Sequence, residues 1–222
     1  MVQETLAKAV NLRYTELADQ CCSLSCGGAL GYSGPQPGET ALDLGCGRGN
    51  DVIRLAESVG ESGFAWGVDL SEGMVEKAKK NLEKFQVAQA EIRRGDLENL
   101  PLPENSVDLV ISNCVLNHAT HKELVWKEIY RVLKPGGRFV VSDIYSLSPV
   151  PEEYRNDPAA VAECWAGSET RDQYLTHVRQ AGFLDLEILE ESAPYQKAKI
   201  EVVSWTLRAI KPNQVSTSKE VL

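Results

Sequence analysis

Asp43-Leu44-Gly45-Cys46-Gly47-Arg48-Gly49 follows an apolar strand pattern over Thr40 to Leu44. It leads into Asn50 to Val59, whose apolar residues recur at helical spacing and stop at Gly60. A strand that runs into three glycines and then a helix is a ligand-binding turn. Glycine lets the backbone bend sharply and removes the Cβ that would hold a ligand away. In an open α/β sheet such a turn sits at the carboxyl edge of the strands, where ligands bind.

The same rhythm continues outward from the turn. Phe64 to Val68, Glu91 to Arg94, Val107 to Ser112 and Arg138 to Ser142 read as strands. Met74 to Phe85, behind Ser71-Glu72, and Lys122 to Leu133 read as helices, the second stopped by Lys134-Pro135-Gly136-Gly137. Leu184 to Leu189 and Ile200 to Leu207 lack a long helix between them, which predicts an antiparallel edge hairpin with one strand inserted beside the fifth. The expected fold is therefore α/β, a doubly wound, mostly parallel seven-stranded sheet of Rossmann-like type. Ahead of it, Leu6 to Asp19 has helical spacing, and Cys21 to Gly38 reads as a Cys-, Gly-, Ser- and Pro-rich loop. Ser146 to Ser168 is too long for a plain connection and reads as a lid, helical around Pro158 to Trp165. Arg171 to Gln180 is a helix ended by Gly182. The expected division is residues 1–38 as a cap on the acceptor side, 39–210 as the main domain with its lid at about 146–170, and 211–222 as a flexible tail.

Two ligands compete for the glycine turn. A dinucleotide wants a glycine at the sixth position, where this chain has Asn50, and places its pyrophosphate on the helix N-terminus. Asp43 and Asp51 would repel that phosphate, and Arg48 offsets only part of the repulsion. S-adenosylmethionine carries a sulfonium and an ammonium and no phosphate, so an acidic turn favours it. Asp69 ends the second strand about 20 residues on, where an acid binds ribose hydroxyls; Leu70 and Met74 follow it. Asp96 is placed to accept from an adenine amino group with Leu97 against the ring, and Asn113 to lie near the methionine part. Gly45, Cys46, Gly47 and Asn50 complete the candidate cofactor set, although Cys46 reads first as a small residue that the turn tolerates.

Charge and composition narrow the partners. The 222 residues carry a net charge of −9, which disfavours a nucleic-acid partner, and basic runs such as Lys77 to Lys80 suit a solvated helix face. No stretch approaches the length of a membrane span and no signal peptide is evident, so the six cysteines are expected in a reducing cytoplasm. Cys21, Cys22 and Cys26 cluster near the N-terminus without a zinc-type spacing. Cys114 follows an apolar strand and reads as a packed residue.

Three stretches resemble class I S-adenosylmethionine-dependent methyltransferases: Ala41 to Gly49, Gly67 to Ser71 and Arg131 to Arg138. Ile111 to Asn117, Ser142 to Tyr145 and Ala162 to Gly167 are most similar to arsenite methyltransferases. That resemblance implies S-adenosylmethionine as methyl donor, S-adenosylhomocysteine as product, and trivalent arsenic held by thiolates as a substrate rather than a resident metal. Cys164 matches one thiolate position and Cys26 another, with Cys21 and Cys22 as further candidates. A third position, placed by the alignment of Val203 to Leu207, falls near Ile200, and no cysteine follows Cys164. A protic oxygen or nitrogen acceptor would instead need a base, for which His118 is the candidate, with Tyr14 and Trp165 as walls of the methyl pocket. The readings to separate are methyl transfer to a thiol-bound metalloid, a small-molecule S-, Se-, O- or N-methyltransferase with incidental cysteines, and a non-catalytic metalloid or cofactor binder.

Overall fold

The computed structural model describes residues 2–20 and 27–213. Cys21, Cys22 and Cys26, with most of the expected tail, lie outside the described residues. Thr40–Leu44 (β1), Phe64–Asp69 (β2), Ala90–Arg94 (β3), Val107–Asn113 (β4) and Leu133–Ser146 (β5) form the parallel part of one sheet. Leu186–Glu191 (β6), Tyr195–Lys197 (β7) and Ile200–Ile210 (β8) complete it, in the order β3-β2-β1-β4-β5-β8-β6 with β7 paired to β8. β8 runs antiparallel to both β5 and β6, so the strand inserted beside the fifth is the last one. The sheet has eight strands rather than seven. The extra one, β7, is three residues long, too short for alternation to reveal it.

The order reverses between β1 and β4, and helices cover both faces. Asn50–Val59 (α3, third in chain order) and Glu72–Lys84 (α4) pack on one face, where Val52, Leu55, Ala56, Val59, Val75 and Ala78 form a core with Ala41, Ala65 and Ile111. On the other, Lys122–Val132 (α5) and Arg171–Gln180 (α8) bury Trp126, Phe139, Tyr174, Phe183 and Trp205 as one aromatic cluster. Burial of this many large apolar side chains is the main stabilising term of the domain. The segment expected to end a helix at Leu133 instead enters β5 there, because Leu133 pairs with Val107 before the register shift.

Two regions form a roof over the carboxyl edge of the sheet. Val2–Leu17 (α1) begins earlier than the spacing predicts, and Ala29–Ser33 (α2) is a helical turn inside the stretch read as loop. The stretch expected as a lid carries Glu152–Arg155 (α6), Pro158–Ala162 (α7) and a 3-10 turn at Trp165–Gly167. Asp157 caps α7 by accepting from the Ala159 N–H at 2.9 Å, and Pro158 takes the first turn, where its missing N–H costs nothing.

Candidate active site

A cleft of about 1130 Å³ opens at the reversal point, between the ends of β1 and β4, beneath α1 and the lid. Its floor begins with the glycine turn. Gly45 has φ +66 and lies where a Cβ would strike the Val115 side chain, so only glycine fits. The Asp69 carboxylate holds the turn in shape: it accepts from the Gly47 N–H and the Ser71 N–H, each at 2.8 Å. The front of Gly47 is open, with nothing within 4 Å of a Cβ position, so a ligand can approach the backbone there. Ser71 caps α4 through the Met74 N–H at 3.3 Å and brings buried Met74 to the cleft wall beside Leu70 and Leu97.

Three carboxylates face this end of the cleft. Burial pushes Asp43 well above the usual carboxylate range, and its neighbours Asp51 and Asp69 push it further. Asp51 and Asp69 are also raised, by burial first; Arg54 offsets part of the effect at Asp51, and the Ser71 and Gly47 N–H groups part of it at Asp69. Such a group of desolvated acids binds a cation and rejects a phosphate. Asn113 joins the two sides of the crevice, donating from Nδ2 to Asp51 and accepting the Ala29 N–H at its Oδ1, each at 3.1 Å. Asp96 lines the cleft and accepts from the Glu98 N–H at 3.0 Å, which shapes the turn that presents Leu97. Asn50 lines the cleft at the start of α3, and Cys46 lines it too while its side chain packs into the core beneath α3.

The same cleft continues to a second group of residues. Cys164 is buried, and its Sγ donates to the Cys114 carbonyl at 3.3 Å. Both cysteines hold left-handed backbone, with φ +77 at Cys164 and +54 at Cys114, and both line the cleft. Left-handed φ is costly for a residue with a Cβ and recurs where a site over-determines the backbone. Cys114 is half-buried at the ligand-facing end of β4: it packs against an apolar cluster, as expected, and also lines the cleft. The signal was its position one residue past a strand's carboxyl end. Ile200, where the third thiolate position was expected, is buried in the same apolar cluster as Cys164, with Cys114 packed against that cluster. Among the described residues no three His, Cys, Asp or Glu side chains converge as a metal-ion site.

His118 is also buried beside this end. Its Nδ1 lies 3.0 Å from the Val161 carbonyl, and its Nε2 3.0 Å from the Tyr14 hydroxyl. Burial lowers its pKa to about 4, and the nearby charges of Lys122, Arg13 and Lys197 lower it too, against the Val161 bond. Trp165, expected as a wall, is buried within the 146–170 stretch and packs at a tilt against Tyr154 instead. Arg48 is the residue whose role went unread: its guanidinium donates to the Leu17, Ala18 and Gln20 carbonyls at 2.7, 2.9 and 2.6 Å, clamping the end of α1 to the glycine turn.

The fold, the reversal point and the acidic glycine turn define the Rossmann-like class of S-adenosylmethionine-dependent methyltransferases. Comparison with known proteins agrees: the family described as a methyltransferase domain matches residues 35–182. The chain therefore belongs to the methyltransferase domain family. The arsenite methyltransferase of Halobacterium salinarum is 38% identical over 182 residues, which cover 82% of this chain and 46% of that protein. The chain thus spans about half the length of the curated relatives it matches. An arsenic(III) S-adenosylmethionine methyltransferase from Chlamydomonas reinhardtii superposes with a TM-score of 0.73 at 30% identity, covering 92% of this chain and 74% of that one. A Haemonchus contortus phosphoethanolamine N-methyltransferase, solved with S-adenosylhomocysteine, has the same TM-score at 20% identity, covers 96% of this chain and 60% of its own, and shares the fold. No helix among the described residues is long and apolar enough to cross a membrane.

Proposed function

We propose that the chain transfers a methyl group from S-adenosylmethionine to trivalent arsenic held by its thiols. The observation that carries this reading is the Cys164–Cys114 juxtaposition at the far end of the acidic cleft. The cofactor end fits the donor: Asp43, Asp51 and Asp69 offer a cation-seeking surface, Gly47 is open to the ligand, and Leu70, Met74 and Leu97 supply apolar walls. When bound, S-adenosylmethionine supplies a methyl carbon activated by its sulfonium and becomes S-adenosylhomocysteine. In this assignment Asp69 takes the ribose, Asp96 and Leu97 the adenine, and Gly45, Gly47, Asn50 and Asn113 the methionine part.

At the acceptor end, soft thiolates suit a soft metalloid. Trivalent arsenic on two or three thiolates keeps a lone pair and has no proton to lose, so the chain needs to orient it and exclude water rather than supply a base. Cys114 takes the place of the cysteine lacking near Ile200. Cys26 is the third candidate; its sequence neighbour Gly27 lines the cleft, seated so closely that a Cβ would fall 2.5 Å from both Asn113 Oδ1 and Ser142 Cβ. Residues 1–38 and the lid at about 146–170 then form the acceptor side of the catalytic domain.

Incubation of the reduced, purified chain with arsenite and S-adenosylmethionine is expected to give methylated arsenic, and Cys114→Ser and Cys164→Ser to abolish it. Wild-type-like trivalent arsenic binding by the double mutant would overturn the assignment. A chain that binds both ligands without turnover would instead be a binding protein.

A further inference from the structure

The Val161 carbonyl can only accept a hydrogen bond, so the proton of His118 resides on Nδ1. Nε2 therefore carries the lone pair, and the Tyr14 hydroxyl donates to it. One ring thus joins three segments: α1 through Tyr14, the turn after Cys114 that bears His118 itself, and the α7 turn, whose Val161 carbonyl also accepts the Cys164 N–H at 2.9 Å. The rings of Tyr14 and His118 meet edge-to-face with centroids 5.4 Å apart. Leu6, Val10, Tyr14 and Leu17 bring α1 over the cleft, so a ligand of cofactor size passes beneath this helix.

We propose that Tyr14 and His118 form a latch that holds α1 down across the cleft, and that His118 is a positioning residue for the Cys114–Cys164 end rather than a proton acceptor. The only basic nitrogen of the ring is already occupied by Tyr14. Among the described residues the charges that act on the ring are Arg13, Lys122 and Lys197, all cationic, with Glu163 paired to Arg13 at 3.4 Å. Tyr14 lies one helical turn before Leu17, where the Arg48 clamp begins, so the C-terminal end of α1 is tied to the His118 turn and to the cofactor turn by neighbouring contacts. The positioning role rests on the acceptor reading above; the latch does not.

The test combines hydrogen exchange with turnover. In the presence of S-adenosylhomocysteine, Tyr14→Phe should speed exchange of the α1 amides about 3- to 10-fold, the worth of one hydrogen bond, and leave β1 to β5 unchanged. Glutamine offers one donor and one acceptor, so His118→Gln should recover most of the arsenite turnover lost in His118→Phe and keep the shape of the wild-type pH profile over roughly pH 6–9. Unchanged α1 exchange in Tyr14→Phe overturns the latch. A His118→Gln enzyme as inactive as His118→Phe, with the acidic limb of the profile lost, makes His118 a base and overturns the positioning role. A wild type without arsenite turnover sinks the acceptor reading and leaves the exchange result to decide the latch.

Discussion

The two ends of the cleft are built differently. The cofactor end is backbone geometry: a glycine turn whose shape is fixed by Asp69, with Ser71 capping the next helix, all within about 30 residues of sequence. The proposed acceptor end is assembled from three distant segments, with Cys114 after β4, Cys164 beyond α7 and Tyr14 in α1. The first needs particular backbone conformations and so leaves glycines and capping residues in the sequence. The second needs only that side chains meet, and local sequence does not record meeting.

Cutting the acceptor end alone should give the largest effect. Cys164→Ser is expected to lower arsenite methylation by about 1,000-fold or more while S-adenosylhomocysteine affinity, measured by calorimetry, changes less than about twofold. Equal losses of both would mean that the two ends are one unit. At the cofactor end, Gly45→Ala forces a Cβ into Val115 at φ +66 and should cost about 3 kcal/mol in a urea denaturation series.

A pH experiment isolates the acceptor end without mutating a thiol. The folded pKa of His118, about 4, lies below the usual 6.5, so between those values the unfolded chain binds more protons. Its contribution is complete above about pH 6.5 and is lost as pH falls to about 4, a change of about 3 kcal/mol. The raised Asp43 and Asp69 act in the opposite sense, so the measurement is the difference between wild type and His118→Gln across that window. No difference there would mean that the ring titrates normally. Smaller still, Asp69→Asn should weaken cofactor-product binding about tenfold with trivalent arsenic binding intact. Arg48→Met should cost about 1 kcal/mol, seen as faster exchange at the C-terminal end of α1.

The same contrast explains what was legible in the sequence. β1, α3, β2 and α4 could be read because apolar spacing, Ser71 and the glycines all point to one structure. The antiparallel end was read in outline, with β7 missed as too short and α2 hidden in a stretch of glycines. Asp43, Asp69, Leu70, Met74, Asp96, Leu97 and Asn113 do converge on one cleft. Cys114 reads as a packed residue because an apolar strand precedes it, and it does pack against an apolar cluster; that it also lines the cleft, with a left-handed backbone, no residue-type signal marks for a cysteine. Arg48 was weighed as a charge near a ligand, whereas its bonds go to carbonyls about 30 residues earlier.

The seat of Gly27 also bears on how the chain acquires its shape. Gly27 rests against Asn113 and Ser142, residues on two strands that must first pair with each other. Closing so long a loop is entropically unfavourable until that platform exists, so the seat of Gly27 is expected to form late in folding. Substitutions there should speed unfolding and barely touch the folding rate. On the function proposed above, the acceptor side would then be the last part of the site to be completed.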